Sequence, residues 1–304
     1  MIIECIKDGV ALTNRNLQLV VIRVIVSFIN VIALGVFLGI PLIITVAYLG
    51  FDVAHAREML PYMAHNPLEF VSRYLGLILL LLLALLSYLI FSSMLYLYTL
   101  GGMLGSLRNS FTNAGLRFAL PSFFREANAN FSRLFWLLSL VFLGITVLLI
   151  ACAGIGGMMV LVMSALSGAD GVLNMFLRSF AAVFMIILCM LTLLASVIFS
   201  VYSAVISVAE KKGAMESVNI TLAFLKNKPQ ALLFFIVLIL AVITAGLLFF
   251  SVQIPLRIIP FISVVTFLIN TFFSSYLAVV LWGSLVTYYM RASGSPVYEA
   301  GYEI

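Results

Sequence analysis

The residues best suited to hold a metal ion lie just after the first apolar run of the chain. Asp52, His55 and Glu58 are spaced three residues apart, and His65 follows closely. Carboxylates and imidazoles are common metal ligands, but they must converge on one ion. A three-residue spacing drifts around a helix of about 3.6 residues per turn, so these side chains would point in different directions. We therefore predict a solvated helix here, with no metal and no cofactor.

A second charged group lies between the second and third apolar runs, where an enzyme could act on a lipid phosphate at the membrane interface. It contains Glu126 and three arginines. The chain has no GxSxG or HExxH motif and no acidic pair inside an apolar run, so we predict that it is not an enzyme. Attraction to anionic head groups is a simpler role for the basic residues. The predicted head-group contacts are Arg117, Arg125, Arg133, Lys226 and Lys228.

Uncharged polar residues inside the apolar runs are the remaining candidates for a site. Asn30, Tyr96 and Asn270 could line a cavity that accepts a small or lipid-like molecule. Their alternative role is hydrogen bonding between helices, worth about 0.6 kcal/mol each in a membrane, and the sequence favours this packing role. Arg23 is the one ionisable residue within the runs, near an end where it can snorkel to the interface. This scarcity argues against transport coupled to protons or sodium ions.

The composition indicates which solvent surrounds these residues. Of 304 residues, 64% are hydrophobic and only 9% are charged, whereas a soluble domain has about 25% charged residues. A soluble fold could not cover so much apolar surface, so lipid must surround most of the chain. The net charge of +5 comes from basic residues that stand singly or in pairs between apolar runs. We expect membrane lipids and a membrane or cytoplasmic protein as partners, and no nucleic acid.

Six apolar runs are long enough to cross a bilayer as helices, which takes about 20 residues for a hydrocarbon core of about 30 Å. They lack the alternation typical of the strands of a membrane barrel. The sequence therefore predicts an all-α, polytopic transmembrane helical bundle that forms a single domain over residues 1–304. Pro67 is expected to start a helix ahead of the second run. The predicted spans are 20–48, 75–100, 134–162, 180–206, 231–251 and 263–289.

Basic residues are divided unequally between the two sides of these spans. Twelve of the 16 lysines and arginines lie before or at the start of the first span, between the second and third, between the fourth and fifth, or after the sixth. The other side has only Arg57, Arg73, Arg178 and Arg257. The positive-inside rule places the richer side in the cytoplasm. We predict a multi-pass protein of the cell inner membrane with both termini in the cytoplasm.

The connector before each odd-numbered span has one design, a short amphipathic stretch followed by a polar break. The breaks contain Asn16, Asn130 and Lys228 as equivalent positions. Each stretch would lie flat with its apolar face in the head-group region. The alternative to a true repeat is convergence among membrane connectors. The predicted units are about 1–105, 106–212 and 213–304. The apolar stripes are Ile3, Ile6, Val10 and Leu17; Leu120, Phe124, Ala127 and Phe131; and Met215, Val218, Leu222 and Leu225.

Two glycine pairs have the GxxxG spacing of closely packed membrane helices. Gly35 and Gly39 lie in the first span, and Gly101 and Gly105 follow the second. Small residues at this spacing let two backbones approach each other. We therefore predict helix–helix contacts at both pairs.

Short stretches in the connectors resemble those of a known group of proteins. They are Ala-Met-Glu-Ser at 214–217, Phe-Leu-Lys-Asn at 224–227, and the stretch 123–134. With the hydropathy of nearly the whole chain, they resemble a group of bacterial six-span membrane proteins. This group includes the membrane domain fused to some glycerophosphodiester phosphodiesterases. The resemblance implies a six-span membrane domain, and because the catalytic barrel of those phosphodiesterases is absent, it implies no hydrolase activity.

The sequence carries no signature of a reaction or a substrate, so three functions remain open. We expect a non-enzymatic inner-membrane protein that acts through lipid or protein partners. The second hypothesis is a permease for a small or lipid-like uncharged molecule, and the third is an interfacial lipid-modifying enzyme. A polar cavity within the bundle would favour the permease, and a solidly packed bundle would disfavour it.

Overall fold

A computed structural model of the chain describes residues 1–49, 67–113, 118–166, 171–254 and 260–294. Nearly every residue in these ranges is helical and none is in a strand, so the predicted all-α class is confirmed. Six helices among them are long and apolar enough to cross a membrane. The helices are α1 (Ile2–Arg15), α2 (Leu17–Leu34), α3 (Ile40–Leu49), α4 (Pro67–Thr112), α5 (Leu120–Leu166), α6 (Gly171–Glu210), α7 (Ala214–Asn227), α8 (Gln230–Gln253) and α9 (Pro260–Ala292).

Two of the spanning helices extend well past the predicted spans. Helix α4 continues to Thr112 and α5 begins at Leu120, whereas the predicted spans end at residue 100 and begin at residue 134. A charge-free run marks only the part of a helix that lies in lipid, and the backbone bonds of a helix are satisfied internally on either side of that boundary. At 1.5 Å per residue, the α4–α5 hairpin projects about 20 Å beyond its predicted spans.

Helix α4 begins at Pro67, as predicted, and bends at Tyr74, where φ is −108° and ψ is 17°. Proline suits a first turn because the N–H that it lacks would have no partner there. The apolar run of α4 starts at the bend, so the bend separates a short first segment from the part that can span a membrane.

Buried side chains are concentrated at one end of the bundle, which we call the packed end. It consists of α1, α7, the start of α2 and the parts of the other helices nearest to the connectors between α4 and α5 and between α6 and α8. Phe234 and Tyr288 stack there, with ring centroids 4.1 Å apart. The largest fully buried side chains include Leu19, Leu104, Leu134, Leu137, Tyr202, Ile206, Phe234 and Tyr288.

The opposite half of the bundle, which we call the open end, buries few of its described side chains. Phe142, Met158 and Met175 are 71%, 71% and 73% exposed. In water, so much exposed apolar surface would be unfavourable. Lipid tails, however, are as apolar as these side chains and need not be excluded. The open end is therefore the part of the bundle that depends on a bilayer.

The three connectors differ from the predicted design at one position. Helices α1 and α7 are separate from the spans that follow them, but α5 runs uninterrupted from Leu120, so the break predicted at 128–130 is wrong. The reason is that Asn130 faces α4. Its side-chain amide donates to the Gly101 carbonyl oxygen at 3.4 Å and to Glu126 Oε2 at 3.3 Å. These polar residues make a helix contact rather than a helix end.

The predicted apolar stripes supply only part of the surfaces by which the connectors pack on the protein: Ala127 is buried, and Ile6, Val218 and Leu225 are partly buried against the core. Ile3 is 69% exposed and Met215 is 65% exposed. The buried faces lie about a quarter of a turn away, at 100° per residue, and carry mainly small or polar side chains. An exposed apolar stripe remains suited to the head-group region. The buried faces are Cys5, Gly9, Leu12 and Thr13; Glu126, Ala127 and Asn130; and Ser217 and Thr221.

Two of the three positions that the repeat makes equivalent behave alike. Asn16 and Asn130 are both buried and hydrogen-bonded to α4, where Ser110 Oγ donates to Asn16 Oδ1 at 3.0 Å. Lys228 is exposed between α7 and α8. The division into three units stays a prediction.

The two glycine pairs also differ. A Cβ atom at Gly105 would lie 2.7 Å from Glu126 Cβ, and one at Gly101 would lie 3.3 Å from Asn130 Cβ, so the contact predicted at this pair is confirmed. Nothing lies within 4 Å of a Cβ atom built at Gly35 or Gly39, so neither glycine is a point of close approach. The contact of this segment with α4 is made instead by Phe37, whose ring centroid lies 5.7 Å from that of Phe91. The two glycines bound a π-helical turn, Gly35–Gly39, that joins α2 to α3.

Candidate functional site

A cavity of about 420 Å³ lies between α2, α4 and α9, at the border between the packed end and the open end. We call it the polar cavity. Its volume falls in the usual range for small-molecule sites, about 300–1,000 Å³. The lining residues are Arg23, Val26, Ser27, Asn30, Ser92, Leu95, Tyr96, Thr99, Leu100, Phe267, Asn270, Thr271, Ser274 and Ser275.

The three residues that the sequence singled out as cavity-lining, Asn30, Tyr96 and Asn270, all line the polar cavity. Each comes from a different helix, so three distant parts of the chain meet here. Ser92 lies one turn from Tyr96 on α4, and Ser274 lies one turn from Asn270 on α9, because residues four apart share a helix face. Polar faces of two helices are thus turned toward one space. That these residues bind a ligand stays a prediction.

Two groups in the polar cavity lack the partners that their chemistry requires. Asn30 Oδ1 is buried without a hydrogen-bond partner, a condition that costs about 1–3 kcal/mol. Arg23 forms no ion pair with any carboxylate in the part of the chain that the structure describes. A cation in a spanning helix is costly unless a counter-charge or water meets it. A ligand with a hydrogen-bond donor and an anionic group would satisfy both residues.

Hydroxyl groups give the cavity wall additional acceptor capacity. Thr99 Oγ1 donates to the Leu95 carbonyl oxygen at 2.8 Å, and Thr271 Oγ1 donates to the Phe267 carbonyl oxygen at 2.9 Å. Each hydroxyl has thereby used its single proton, and its oxygen lone pairs remain available. The cavity therefore combines one cationic group with several neutral acceptors, which suits a ligand that carries both an anionic group and hydroxyl or amide donors.

A second cavity, of about 520 Å³, lies on the other side of α4, against α5 and α6. We call it the apolar cavity, because most of its wall is aliphatic or aromatic. Ser92 and Tyr96 line both cavities, so this one turn of α4 is all that separates them. The other lining residues are Ser93, Leu97, Leu138, Val141, Phe142, Ile145 and Ser200.

Sequence reasoning did not assign Arg23 or Ser27 to the cavity. Both lie on the face of α2 that carries Asn30, because positions 23, 27 and 30 follow the i, i+4, i+7 pattern of a helix. That spacing is a signal that the sequence contained. Arg23 was instead interpreted as a residue whose long side chain reaches the interface. That interpretation did not consider the polar residues on the same face of α2.

The predicted head-group residues are placed at the packed end, apart from the polar cavity. Arg125 is exposed and Arg133 half-buried on α5, and Lys226 and Lys228 are exposed where α7 gives way to α8. Arg117 lies outside the described residues. The four described residues do not converge on one pocket, since none lines either cavity. Their contact with lipid head groups stays a prediction.

Glu126, the acidic member of the second charged group, points into the protein rather than toward the interface. It is 9% exposed and accepts hydrogen bonds from Asn109 Nδ2 at 3.1 Å and Asn130 Nδ2 at 3.3 Å. Arg108 continues the network by donating to Asn109 Oδ1 and to the Val208 carbonyl oxygen, both at 2.9 Å. This carboxylate therefore links α4 to α5, and Arg108 extends the link to α6.

The candidate metal ligands cannot be placed, because Asp52, His55, Glu58 and His65 lie outside the described residues. Among the residues that are described, no three His, Cys, Asp or Glu side chains come together in a way that could hold a metal ion.

No family model, curated protein or solved structure matches the chain. The resemblance to bacterial six-span proteins therefore stays a prediction, and the function must be argued from the cavities and the charges.

Proposed function

We propose that the protein is a non-enzymatic inner-membrane protein that binds a polar lipid or lipid-like molecule in the polar cavity. The observation that carries this proposal is the pairing of Asn30, whose Oδ1 is buried without a partner, with Arg23, which has no described counter-charge. Both are costly in a membrane and both would be satisfied by one amphiphilic ligand. Of the two kinds of partner expected from the sequence, lipid and protein, lipid is thus the better supported.

Access to the cavity supports a ligand that arrives from the bilayer. Tyr96 is 45% exposed and Phe267 is 51% exposed, and both lie in helices that can cross a membrane. Their exposed surfaces belong to the zone where apolar side chains meet lipid. A lipid could reach the cavity sideways without crossing the packed end.

The orientation that we propose puts the packed end and both termini in the cytoplasm. Twelve of the 16 basic residues belong, along the sequence, to the side of the spans that carries the N-terminus, and the positive-inside rule assigns such a side to the cytoplasm. The polar cavity would then open at the level of the cytoplasmic leaflet. A reporter fused after Ile304 should accordingly be active only in the cytoplasm.

The test is retention of lipid through purification in a mild detergent, followed by native mass spectrometry. We expect the wild-type chain to retain lipid, and Asn30→Leu and Asn270→Leu to retain several-fold less, because each removes polar groups from the cavity. Thr146→Val is the matched control: this exposed threonine on α5 bonds only to its own helix, at the Phe142 carbonyl oxygen. A wild-type chain that retains no lipid, or equal retention in all variants, would contradict the proposal.

A permease for a small or lipid-like uncharged molecule is the second candidate, and the π-helical turn at Gly35–Gly39 favours it. Such turns are weak points in a helix and often accompany function. The turn follows the cavity-lining part of α2, and nothing lies within 4 Å of a Cβ atom built at either glycine, although Phe37 between them contacts Phe91 of α4. We would measure entry of a fluorescent uncharged lipid analogue into proteoliposomes. Rates equal to those of protein-free liposomes would exclude transport of this analogue, and slowing by Gly35→Ala with Gly39→Ala would support it.

A further inference from the structure

We infer that the ligand of the polar cavity is an anionic, phosphate-bearing lipid, with its phosphate on Arg23 and one acyl chain passing Tyr96 into the apolar cavity. This inference rests on the proposed lipid-binding function and adds the class of lipid and its placement. It follows from three features: the charge of Arg23, its depth in α2, and the shared wall of the two cavities.

The positive charge of Arg23 determines which lipid head groups the polar cavity can bind. Among the described residues that line either cavity, Arg23 is the only ionised one and none is a carboxylate. Guanidinium groups bind phosphate oxygens through two parallel hydrogen bonds, which fixes both distance and direction. A zwitterionic head group would bring its own cation next to Arg23, where no described acidic residue could receive it. The cavity therefore discriminates in favour of net negative charge.

The depth of Arg23 in the bundle matches the depth of the phosphate group of a phospholipid in a bilayer. Arg23 lies six residues into α2, which is about 9 Å from its start, and Asn30 lies about 10 Å further along. The phosphate would thus sit near the packed end, at head-group level. The glycerol backbone and ester groups would extend toward Asn30 and Asn270. The side-chain amide of Asn30 can donate to an ester carbonyl, and its Oδ1 can accept from a hydroxyl of the head group.

The apolar cavity lies next to this position, on the other side of the turn of α4 that carries Ser92 and Tyr96. Beyond this common wall, Leu138, Val141 and Ile145 offer no polar group to a chain, and Ser93 and Ser200 add the remaining hydroxyls. An acyl chain in bulk lipid is already out of water, so the apolar cavity adds shape rather than a large hydrophobic free energy. Affinity should consequently depend strongly on the head group and weakly on chain length.

The first experiment measures binding of two lipids with identical acyl chains to the purified full-length protein. Phosphatidylglycerol is the anionic probe and phosphatidylcholine is the zwitterionic control. We expect about tenfold tighter binding of the anionic lipid, because both lipids offer a phosphate to Arg23 but only phosphatidylcholine brings a cation next to its guanidinium group. Arg23→Gln should remove that preference, Arg23→Lys should keep most of it, and Lys7→Gln should leave it unchanged. Lys7 is an exposed cation of α1 and lines neither cavity.

The outcomes separate this inference from the proposed function. Equal retention of both lipids, or a preference that survives Arg23→Gln, would overturn the anionic inference and leave lipid binding intact. Retention of neither lipid would overturn both. Inorganic phosphate is added as a competitor in a parallel titration, because a site for free phosphate would lose its lipid preference at millimolar phosphate, whereas a lipid site would keep it.

The second experiment locates the acyl chain. The anionic lipid carries a photoreactive diazirine in one chain, and cross-links are mapped by peptide sequencing. We expect labelling of Leu138, Val141 and Ile145 that persists in excess phosphatidylcholine and disappears in Arg23→Gln. Exposed positions such as Leu148 should be labelled only by bulk lipid, so excess phosphatidylcholine should dilute that labelling. If Arg23→Gln left the labelling of the apolar cavity unchanged, the inferred placement of one lipid across both cavities would be overturned.

Discussion

The two ends of the bundle contain the same glycine spacing but use it in opposite ways. At the packed end, Gly101 and Gly105 let the α4 backbone approach Asn130 and Glu126, and a hydrogen-bond network closes over the contact. Toward the open end, Gly35 and Gly39 meet nothing within 4 Å and bound a π-helical turn. A small residue therefore permits close approach but does not cause it. The polar partner on the neighbouring helix decides whether the contact forms.

The comparison also explains where the polar cavity lies. Helices α2, α4 and α9 all line the polar cavity, which lies where the closely packed side chains of the packed end stop. Aromatic pairs also join the first span to α9 and α4, Phe28 with Phe267 and Phe37 with Phe91. Polar residues at that border face a gap that no protein group fills. The packed end is therefore expected to be sensitive to substitution, and the open end to be tolerant.

The strongest test is Gly9→Ala, at the contact of α1 with α9. An added Cβ would lie 2.7 Å from both the backbone N and the Cα of Ser284, and backbone atoms cannot move aside as a side chain can. We expect α1 docking to weaken by about 1–3 kcal/mol. Cys5 reports this, because its thiol is buried in the docked helix. Maleimide labelling of Cys5 should accelerate about tenfold or more.

The pH dependence of the same assay gives a second criterion. Burial raises the pKa of the Cys5 thiol, so docking favours the protonated form. The corresponding stability is present below the ordinary thiol pKa of about 8.5 and is lost as the pH rises above it. Labelling in the wild type should thus stay slow at neutral pH and increase steeply at alkaline pH. The assay uses a background with Cys152→Ala and Cys189→Ala, and unchanged labelling in Gly9→Ala would refute the docking contact.

The second largest effect is expected from Glu126. Glu126→Ala removes the acceptor of the partly buried Asn109 amide and one of the two acceptors of the buried Asn130 amide, which keeps its bond to the Gly101 carbonyl, at a cost of about 1–3 kcal/mol. Glu126→Gln keeps an acceptor oxygen and should cost less. Thermal unfolding in detergent, followed by size-exclusion chromatography, measures the difference. If the two variants were equally stable, Glu126 would not be holding α4 against α5 through these bonds.

The smallest effect is expected at the open end. Gly39→Ala adds a methyl group where nothing lies within 4 Å, so no clash arises. Alanine restricts the unfolded chain and favours helix, and the variant should be unchanged or more stable by up to about 1 kcal/mol. The same unfolding assay applies. A clear loss of stability would show that the open end is packed more tightly than described, and would remove the contrast between the two glycine pairs.

The sequence predicted those features that depend on whether a residue lies in lipid or in water. Charge-free runs located six spanning helices because only helices satisfy the backbone in lipid, and Pro67 marked a helix start because its chemistry is local. Asn30, Tyr96 and Asn270 were found because polar side chains are conspicuous in apolar runs. They line one cavity, although the sequence favoured packing.

Features that depend on a neighbour were not predictable. Asn130 was interpreted as a break because nothing in its own segment reveals that the Gly101 carbonyl lies across from it. The connector stripes were predicted from apolar residues, whereas the buried faces use Gly9, Thr13 and Ser217. Small and polar residues pack tightly only against a matching surface, and that surface belongs to another helix.

The docking of α1 on α9 has a consequence for synthesis of the protein. The surface that receives Gly9 contains Gly283 and Ser284, so the first helix must wait for the last. At about 5–20 residues per second, roughly 15–55 s separate their emergence from the ribosome. During that time, α1 lacks the α9 surface on which Gly9 docks. Its apolar stripe, with Ile3 at the exposed side, can hold it at the membrane surface until the final helix is inserted.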